Sequence, residues 1–324
     1  MLPQPLLRRA RLAAATRAFF AARGFSEVET AYAVRTPGEE VHLRAFATER
    51  EATDGARTKL WLHTSPEFAM KRLLAAGSGP IFQLARVWRN GEGSALHAPE
   101  FTMLEWYAPG LGMTGLIAQA MEFLRAVLPG EVRCRGVTTR LDAAEVISVA
   151  EAFERYAGAD VLGTAGDAAA LAAAAGERLR AGEEWEDLSF RLLLARVEPH
   201  LGRQRPTFLT HWPAAQAALA RRDPADPRVA ERFELFVCGI ELANAFVELT
   251  DAAEQRARFE ADRARRRALG GRLVGEPDWP MDEALLAALP AMPACAGIAL
   301  GFDRLAMIAA GVDDIRAVLA LPDF

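Results

Sequence analysis

The sequence predicts an α+β fold, an antiparallel β-sheet flanked by helices, and two observations carry the prediction. Apolar and polar residues alternate in IFQLARVWR (residues 81–89) and again in FTMLEWYA (residues 101–108), as they do in strands. The segment between them, GEGSALHAPE, is rich in turn residues and predicts a long-looped antiparallel hairpin. Strands of this kind lie between helical patterns, which favours the α+β class.

The other elements of the first two thirds follow in chain order. LLRRARLAAATRAFFAARG (residues 6–24) predicts an amphipathic helix that ends at Gly24, and FSEVET predicts a strand. WLHTSPEFAMKRLLAAG (residues 61–77) predicts a short strand, a turn and a helix. Residues 113–204 are expected to be mostly helical, with a surface helix in the alanine-rich stretch 165–181.

The last third returns to strands. PTFLTHWP predicts one strand, and RFELFVCGIELANAFVEL (residues 232–249) predicts a second, long one. TDAAEQRARFEADRARRRALG (residues 250–270) predicts a strongly charged helix, and GIALG (residues 297–301) predicts a strand that runs into a further helix. With no internal repeat and no disordered linker in the pattern, we expect a single domain over residues 1–324 with a helical insertion at about 113–204.

Composition narrows the class of protein. The 38 basic and 43 acidic residues give a net charge of −5, which argues mildly against a large nucleic-acid footprint. No apolar run is long enough to cross a bilayer, and we expect no membrane association. Cys134, Cys238 and Cys295 are far apart and form no CxxC, so neither a zinc site nor a disulfide framework is supported and a cytoplasmic location is expected.

The predicted hairpin carries an unusual amount of charge among its aromatic residues. Arginine forks suit phosphates, and Arg89 stands at the end of the first strand. On the return strand Phe101, Glu105 and Tyr107 share a face, where Phe101 can stack on a purine and the other two can receive an amine. A solvated hairpin held by cross-strand ion pairs is the alternative.

Acidic residues recur in the long predicted strand. Glu234 and Glu241 can hold Mg²⁺ through hard oxygens beside a nucleotide, and Glu248 can meet a cation. Their spacing alternates faces on a straight strand, so a bend or bulge is needed for the three to converge. An amphipathic strand with outward carboxylates is the alternative.

Two further segments carry candidate binding residues, but each taken alone is also explained by ordinary helix structure. Arg304 lies in the first turn of its predicted helix, where the helix dipole disfavours a cation, which hints at a role such as phosphate binding; pairing with Asp303 is the alternative. The stretch TSPEF (residues 64–68) is also typical of an ordinary helix start. No serine–histidine–acid grouping, metal-binding histidine pair or Walker-type glycine loop is present.

Taken in order, these segments resemble the catalytic domain of class II lysyl-tRNA synthetases, and most closely their stand-alone relatives, the elongation factor P–lysine ligases. The first helix with FSEVET is similar to motif 1, RVWRNGEGSALHAPEF to motif 2 and GIALGFDRL to motif 3. TSPEFAMKRLL, HAPEFTMLEWY and GIELANAFVELTDAAEQ are similar to lysine-family segments, so the resemblance covers nearly the whole chain.

The resemblance implies a role for each site residue. The implied ATP-binding residues are Arg89, Asn90, Gly91, His97, Ala98, Phe101, Glu241, Leu242, Gly301 and Arg304, among which Arg89 and Arg304 act on the α-phosphate and the γ-phosphate end. Mg²⁺ would be carried by Glu234 and Glu241. The amino acid would be bound by Ser65, Pro66, Glu67, Glu105, Tyr107, Asn244 and Glu248, with the side-chain ammonium received by Tyr107 and Glu248.

The implied reaction is ATP-dependent activation of lysine, or of (R)-β-lysine, and its transfer to a lysine side chain of elongation factor P. An anticodon-reading domain needs on the order of 100 residues before motif 1, and only a few residues precede the first helix, so we expect no anticodon recognition. A truncated synthetase charging tRNA or a small acceptor and an inactive regulatory paralogue are the alternatives. Motif 1 further implies a homodimer, and the basic stretch from Arg263 to Arg267 is a candidate docking surface for the acceptor.

Three positions depart from the family pattern. Motif 2 usually reads Arg-x-Glu, but Gly91 stands where the glutamate is expected and the next acid is Glu92. Ala31 replaces the proline after EVET, and Ala98 replaces an asparagine common in HNPEF. The missing motif 2 carboxylate puts one contact near the ligands in question.

Overall fold

The computed structural model describes residues 2–269 and 279–322. The chain forms two compact units: one runs to Leu111 and resumes at Glu248, and the other is Gly112–Val247. Among the described residues, no helix combines the length and apolar character needed to cross a membrane.

The first unit contains two groups of strands. Four strands follow one another in the order β1, β5, β6, β13, with β1 parallel to β5 and the other neighbours antiparallel: β1 (Ser26–Glu27), β5 (Ile81–Trp88), β6 (Glu100–Pro109) and β13 (Cys295–Gly301). Three more strands form a small antiparallel sheet in the order β2, β4, β3: β2 (Ala33–Val34), β3 (Ala47–Glu51) and β4 (Arg57–Leu62). The hairpin predicted from residues 81–108 is confirmed.

Most helices in the described part of the first unit lie in segments where the sequence predicts a helix, although the observed bounds differ by a few residues. The helices are α1 (Gln4–Ala21), α2 (Glu67–Ala75), α7 (Ala252–Leu269), α8 (Glu283–Ala288) and α9 (Phe302–Ala310). Phe20 of α1 is fully buried and stacks on Phe82 of β5 at 4.7 Å between ring centroids, which fixes this helix against the strands. Pro66 precedes the first turn of α2, and Gly311 ends α9 in the left-handed conformation.

The predicted end of the charged helix at Gly270 lies outside the described residues. Within α7, Arg266 is 3% exposed and stacks on Trp279, and Arg263 pairs with Glu39 at 3.0 Å. Within the candidate docking surface from Arg263 to Arg267, Arg266 is therefore buried and Arg263 is already paired with an internal acid.

The second unit has four helices, two strand groups and one large apolar cluster. Its helices are α3 (Met113–Val127), α4 (Val149–Ala157), α5 (Ala168–Ala175) and α6 (Trp185–Leu192), followed by a π-helical turn at Leu193–Val197. The strands β12 (Ile240–Val247), β11 (Val229–Val237), β10 (Thr207–Pro213) and β9 (Glu145–Ser148) lie side by side in that order, and β7 (Glu131–Cys134) pairs with β8 (Val137–Arg140). Residues 113–204 thus contain three short strands besides the expected helices.

Two sequence-based expectations differ from the structure of this unit. The alanine-rich helix α5 is not merely a surface element, because Leu171, Ala172 and Ala175 are buried in the apolar cluster. The long strand predicted over residues 232–249 is two antiparallel strands, β11 and β12, joined at Cys238 and Gly239 with φ of 55° and 71°. Two successive positive φ values form a tight hairpin turn whose twist matches that of the strands. Cys-Gly is not one of the dipeptides that usually predict such a turn.

Candidate active site

The two faces of the β5–β6 hairpin carry different residues. On one face Arg86 pairs with Glu100 at 2.8 Å across the strands, and both side chains are nearly half exposed. The opposite face carries Phe101, Met103, Glu105 and Tyr107, which stand across from Val87, Ala85, Gln83 and Ile81. At the rise of an antiparallel strand, Phe101 and Tyr107 are about 20 Å apart, a span that suits an extended ligand.

Phe101 and Arg89 form one end of this face. Phe101 packs on a small apolar cluster that contains Ala85, Val87 and Met103, and the Arg89 guanidinium lies 5.3 Å from its ring centroid. The Arg89 Nε atom is buried without a hydrogen-bond partner, and Nη1 is 4.0 Å from Glu92. An aromatic face beside a guanidinium suits a base joined to a phosphate.

The loop after β5 meets the start of α9 beside this end. Arg304 Nη2 lies 2.6 Å from His97 Nε2, and Arg304 Nε donates to the carbonyl of Leu96 at 3.3 Å. A Cβ on Gly301 would be 3.4 Å from Arg304 Cδ, so the side chain passes close over this glycine. The Asp303 carboxylate is 1% exposed, pairs with Arg9 and accepts the backbone N–H of Thr102.

Gly91 has an arginine neighbour from a distant part of the chain. Its φ is +84°, and a Cβ built on it would lie 3.2 Å from Nη1 of Arg44. The adjacent Asn90 N–H donates to the carbonyl of Arg44 at 2.7 Å, while Ala98 is 1% exposed. Where the family pattern expects a carboxylate, this chain therefore places a guanidinium against bare backbone.

Glu105 is the centre of the opposite end. Ser65 Oγ donates to Glu105 Oε1 at 2.6 Å, and Tyr107 OH donates to Glu105 Oε2 at 3.1 Å. The backbone N–H of Glu67 in turn donates to Ser65 Oγ at 3.0 Å, which ties the start of α2 to the sheet. The turn at Pro66 thus aims the first residues of α2 at the carboxylate.

Lys71 bridges two of the acids and was not identified from the sequence. It is 1% exposed, and its Nζ lies 2.5 Å from Glu67 Oε1 and 2.6 Å from Glu248 Oε2. Only two of the 38 basic residues are lysines, Lys59 and Lys71, so a lysine at this position is the signal that the sequence offered. With Glu67, Glu105 and Glu248 ionised, one lysine leaves the cluster two negative charges in excess.

Burial dominates the acid–base behaviour of this cluster. Burial raises the pKa of Glu105 to about 8, with a contribution from the charge of Glu67, and the hydrogen bonds from Ser65 and Tyr107 oppose the shift. Burial likewise raises the pKa of Glu248 to about 7, against the charge of Lys71. Burial alone would lower the pKa of Lys71, but the two carboxylates outweigh it and raise that pKa above its usual value. An added ammonium would favour the ionised acids.

Glu40 is another carboxylate that the sequence analysis missed. Its Oε2 is buried without a hydrogen-bond partner and lies against Gly38, where an added Cβ would be 2.5 Å away. Burial and the charge of Glu67 raise the pKa of Glu40, and the charge of Arg89 opposes the shift. Glu40 therefore interacts electrostatically with charged residues at both ends of the hairpin face.

Gln83 stands across from Glu105, and Gly297 stands across from Tyr107. Gln83 is 1% exposed and neither of its amide atoms has a hydrogen-bond partner, a condition that costs about 1–3 kcal/mol. A Cβ on Gly297 would overlap Tyr107 Cε1 and come within 2.5 Å of Glu248 Oε1. The signals in the sequence were a polar residue inside the apolar run IFQLA and a glycine opening GIALG.

Glu234, Glu241, Leu242 and Asn244 belong to the second unit, on the β11–β12 hairpin. Glu234 stands opposite Asn244, and Arg232 Nη2 pairs with Glu234 Oε1 at 2.6 Å. Burial raises the pKa of Glu234 to about 8; the charge of Arg232 opposes this shift and that of Glu241 adds to it. Leu242 is 1% exposed and part of the core.

This acidic pair can be compared with what Mg²⁺ requires. No group of three or more histidine, cysteine, aspartate or glutamate residues with metal-binding geometry occurs within residues 2–269 and 279–322. Mg²⁺ beside a nucleotide commonly uses only one or two carboxylates together with phosphates and water. Glu234 and Glu241 repel each other, so a divalent cation would relieve an existing cost, and the residues fit the ion.

Comparison with known proteins identifies the family of this chain. A family model described as tRNA synthetases class II (D, K and N) matches residues 2–324. The chain is 44% identical over 322 residues to the elongation factor P–(R)-β-lysine ligase of Proteus mirabilis (strain HI4320), which covers 98% of this chain and 94% of that protein. It is 45% identical over 323 residues to the protein of the same name in Avibacterium paragallinarum, with the same two coverages.

The similarity extends over the segments that carry the motif resemblance. The Klebsiella pneumoniae subsp. pneumoniae relative, also named elongation factor P–(R)-β-lysine ligase, is 45% identical over 322 residues and covers 97% of this chain and 94% of its own length. The predicted α+β fold and the resemblance to a stand-alone lysine ligase are both confirmed. The chain belongs to the class II tRNA synthetase family that comprises the D, K and N enzymes.

Proposed function

We propose that this chain is an ATP-dependent ligase that activates lysine or (R)-β-lysine as an aminoacyl-adenylate and transfers it to a lysine side chain of elongation factor P. The observation that carries the proposal is the buried anionic cluster of Glu67, Glu105 and Glu248 at one end of the hairpin face. Lys71 pairs with Glu67 and Glu248, and Glu105 accepts from Ser65. The names of relatives that cover about 98% of the chain supply the acceptor.

The end of the hairpin face that carries Phe101 and Arg89 binds ATP and activates the amino acid by positioning and by charge. Phe101 stacks on adenine, Arg89 holds the α-phosphate, and Arg304 with His97 holds the γ-phosphate end. Asn90, Gly91 and Ala98 shape the loop around the phosphates. An oxygen of the amino acid carboxylate attacks the α-phosphorus, and the bond to pyrophosphate breaks. No protein nucleophile is needed, because positioning and electrostatics supply the rate enhancement.

The amine end selects the amino acid. Glu105, Tyr107 and Glu248 surround the side-chain ammonium, and Ser65, Pro66 and Glu67 meet the second amine. A substrate without the terminal amine would leave buried carboxylates uncompensated, which is costly and gives selectivity. The acceptor lysine, as the free amine, then attacks the activated carbonyl carbon, and AMP leaves.

Mg²⁺ is the expected cofactor, with Glu234 and Glu241 as its protein ligands. When bound, the ion would neutralise phosphate charge and aid departure of pyrophosphate. Leu242 and Asn244 keep their assignments to ATP and to the amino acid; Arg232 Nε donates to Asn244 Oδ1 at 3.1 Å, which orients that amide. The protein is proposed to act as a cytoplasmic homodimer, because its acceptor is a translation factor and motif 1 forms dimers in the family.

Parallel acceptor assays test the proposal. Labelled lysine and (R)-β-lysine are offered with ATP to elongation factor P and to tRNA, and amino-acid-dependent pyrophosphate exchange is measured alongside. Label on elongation factor P is expected, and label on tRNA alone would replace the proposal by a truncated synthetase. Absence of exchange would indicate a regulatory paralogue. Arg304→Ala should abolish exchange, whereas Arg86→Ala, on the outer face of the hairpin, should retain it.

A further inference from the structure

Gln83 is a buried amide for which the folded chain provides no partner. It lies on β5, is 1% exposed, and its Oε1 and Nε2 both lack a hydrogen bond. Gln255 lies in the same unit and is equally buried, but its amide is not left without a partner. Buried polar groups are nearly always satisfied, so an amide of this kind indicates a ligand that the protein is built to receive.

The position of Gln83 places it at the amine end. It stands directly across from Glu105, and Glu105 stands across from Ala299, so the three form one row over β5, β6 and β13. Opposite residues of an antiparallel pair share a face and have Cβ atoms about 5 Å apart. Both oxygens of Glu105 already accept hydrogen bonds, from Ser65 and Tyr107, so Gln83 is not required to satisfy that carboxylate.

The chemistry of an amide suits this position. A primary ammonium has three N–H donors. Glu105 and Glu248 supply two charged acceptors, and the Tyr107 hydroxyl beside them already donates its hydrogen to Glu105. A further carboxylate would add like charge to a cluster of three acids in which the one lysine pairs with Glu67 and Glu248. The Gln83 amide oxygen offers a third acceptor without adding charge.

We propose that Gln83 is a substrate-binding residue whose amide oxygen accepts the third N–H of the side-chain ammonium of the bound diamino acid. This inference rests on the proposed function, since it assigns that ammonium to the row occupied by Glu105. It makes Gln83 a determinant of selectivity for diamino acids over isosteres that end in a methyl group.

Replacement of the amide by a side chain of similar length tests the inference. In Gln83→Met, the KM for lysine or (R)-β-lysine in pyrophosphate exchange should rise about ten- to a hundredfold, the effect of losing a hydrogen bond to a charged group. The KM for ATP should stay within about twofold. The urea midpoint of the empty protein should not fall, because the substitution removes no hydrogen bond and removes an unsatisfied amide.

Gln255→Met is the matched control, and it should lower the urea midpoint without changing the KM for the amino acid. If the KM for the amino acid is unchanged in Gln83→Met, the inference is overturned. If the wild type still catalyses pyrophosphate exchange, the proposed function stands. A loss of midpoint in Gln83→Met comparable to that of the control would also overturn it, since it would reveal a structural partner. No exchange by the wild type with either amino acid would overturn both. Gln83→Leu replaces the methionine variant if that variant does not fold.

Discussion

Removal of the Lys71 ammonium should destabilise the protein strongly. In Lys71→Met the stem keeps its length, but Glu67 and Glu248 lose a cation that lies 2.5 and 2.6 Å from their oxygens in a site where the lysine is 1% exposed. Breaking a buried pair in this way costs about 3–5 kcal/mol. Against a typical total of about 5–15 kcal/mol, that is a large share of the free energy of unfolding.

The cost should depend on pH. Without Lys71, the folded-state pKa of Glu248, already raised to about 7 by burial, rises further above its unfolded value. The contribution of Glu248 to stability is therefore present below the unfolded pKa and is lost as pH rises through the folded pKa. The variant should therefore lose more stability at about pH 8 than at about pH 6.

Urea denaturation of four proteins measures this effect. They are the wild type, Lys71→Met, the double variant Lys71→Met with Glu248→Gln, and Lys59→Met as the control at the exposed lysine. The double variant should recover part of the loss because one uncompensated carboxylate is gone, and the control should stay within about 0.5 kcal/mol of wild type. A loss below about 1 kcal/mol at pH 8 in the single variant, or no recovery in the double, would refute the ion-bridge reasoning.

Three further predictions concern the same unit. Burial raises the pKa of Glu105 to about 8, so its contribution to stability is present at low pH and is lost as pH rises toward that value. The urea midpoint of the empty protein should fall from about pH 6 to about pH 9 and the KM for the amino acid should fall with it, and Glu105→Gln should flatten both profiles. Gly297→Ala should raise the KM for the amino acid at least about tenfold with little change for ATP, because its methyl group displaces Tyr107; equal effects on both substrates in pyrophosphate exchange would argue against this local cause. Gly91→Glu should destabilise the protein by about 1–2 kcal/mol in urea denaturation, since φ is +84° and Arg44 is 3.2 Å from the new Cβ; an unchanged midpoint would mean that the loop relaxes freely.

The hairpin could be predicted from the sequence because its register follows from alternation alone. A strand has a period of two, so assigning Phe101 to one face assigns Glu105 and Tyr107 to the same face. The turn at Cys238 and Gly239 could not be predicted in this way, because the apolar pattern continues across it. The residues on either side of the turn, Val237 and Ile240, are strand formers and not turn residues.

The residues that the sequence did not reveal are defined by tertiary contacts. Lys71 reads as one more charge on an amphipathic helix until Glu248, from a distant segment, is placed beside it. Gln83 is informative only because its amide is left unsatisfied, and Gly297 only because of the atoms above it. Such properties depend on packing between segments, which periodicity does not encode.

The small number of lysines limits how far the protein can acylate itself. An acyl-adenylate that escapes from the site acylates whatever unprotonated amine it meets, whereas a guanidinium stays protonated and inert at neutral pH. Lys71 is sequestered, and Lys59 is the other lysine in the chain. Under the proposed function, an acyl-adenylate that leaves the site therefore meets almost no lysine on this chain, and self-labelling should concentrate at the peptide that contains Lys59.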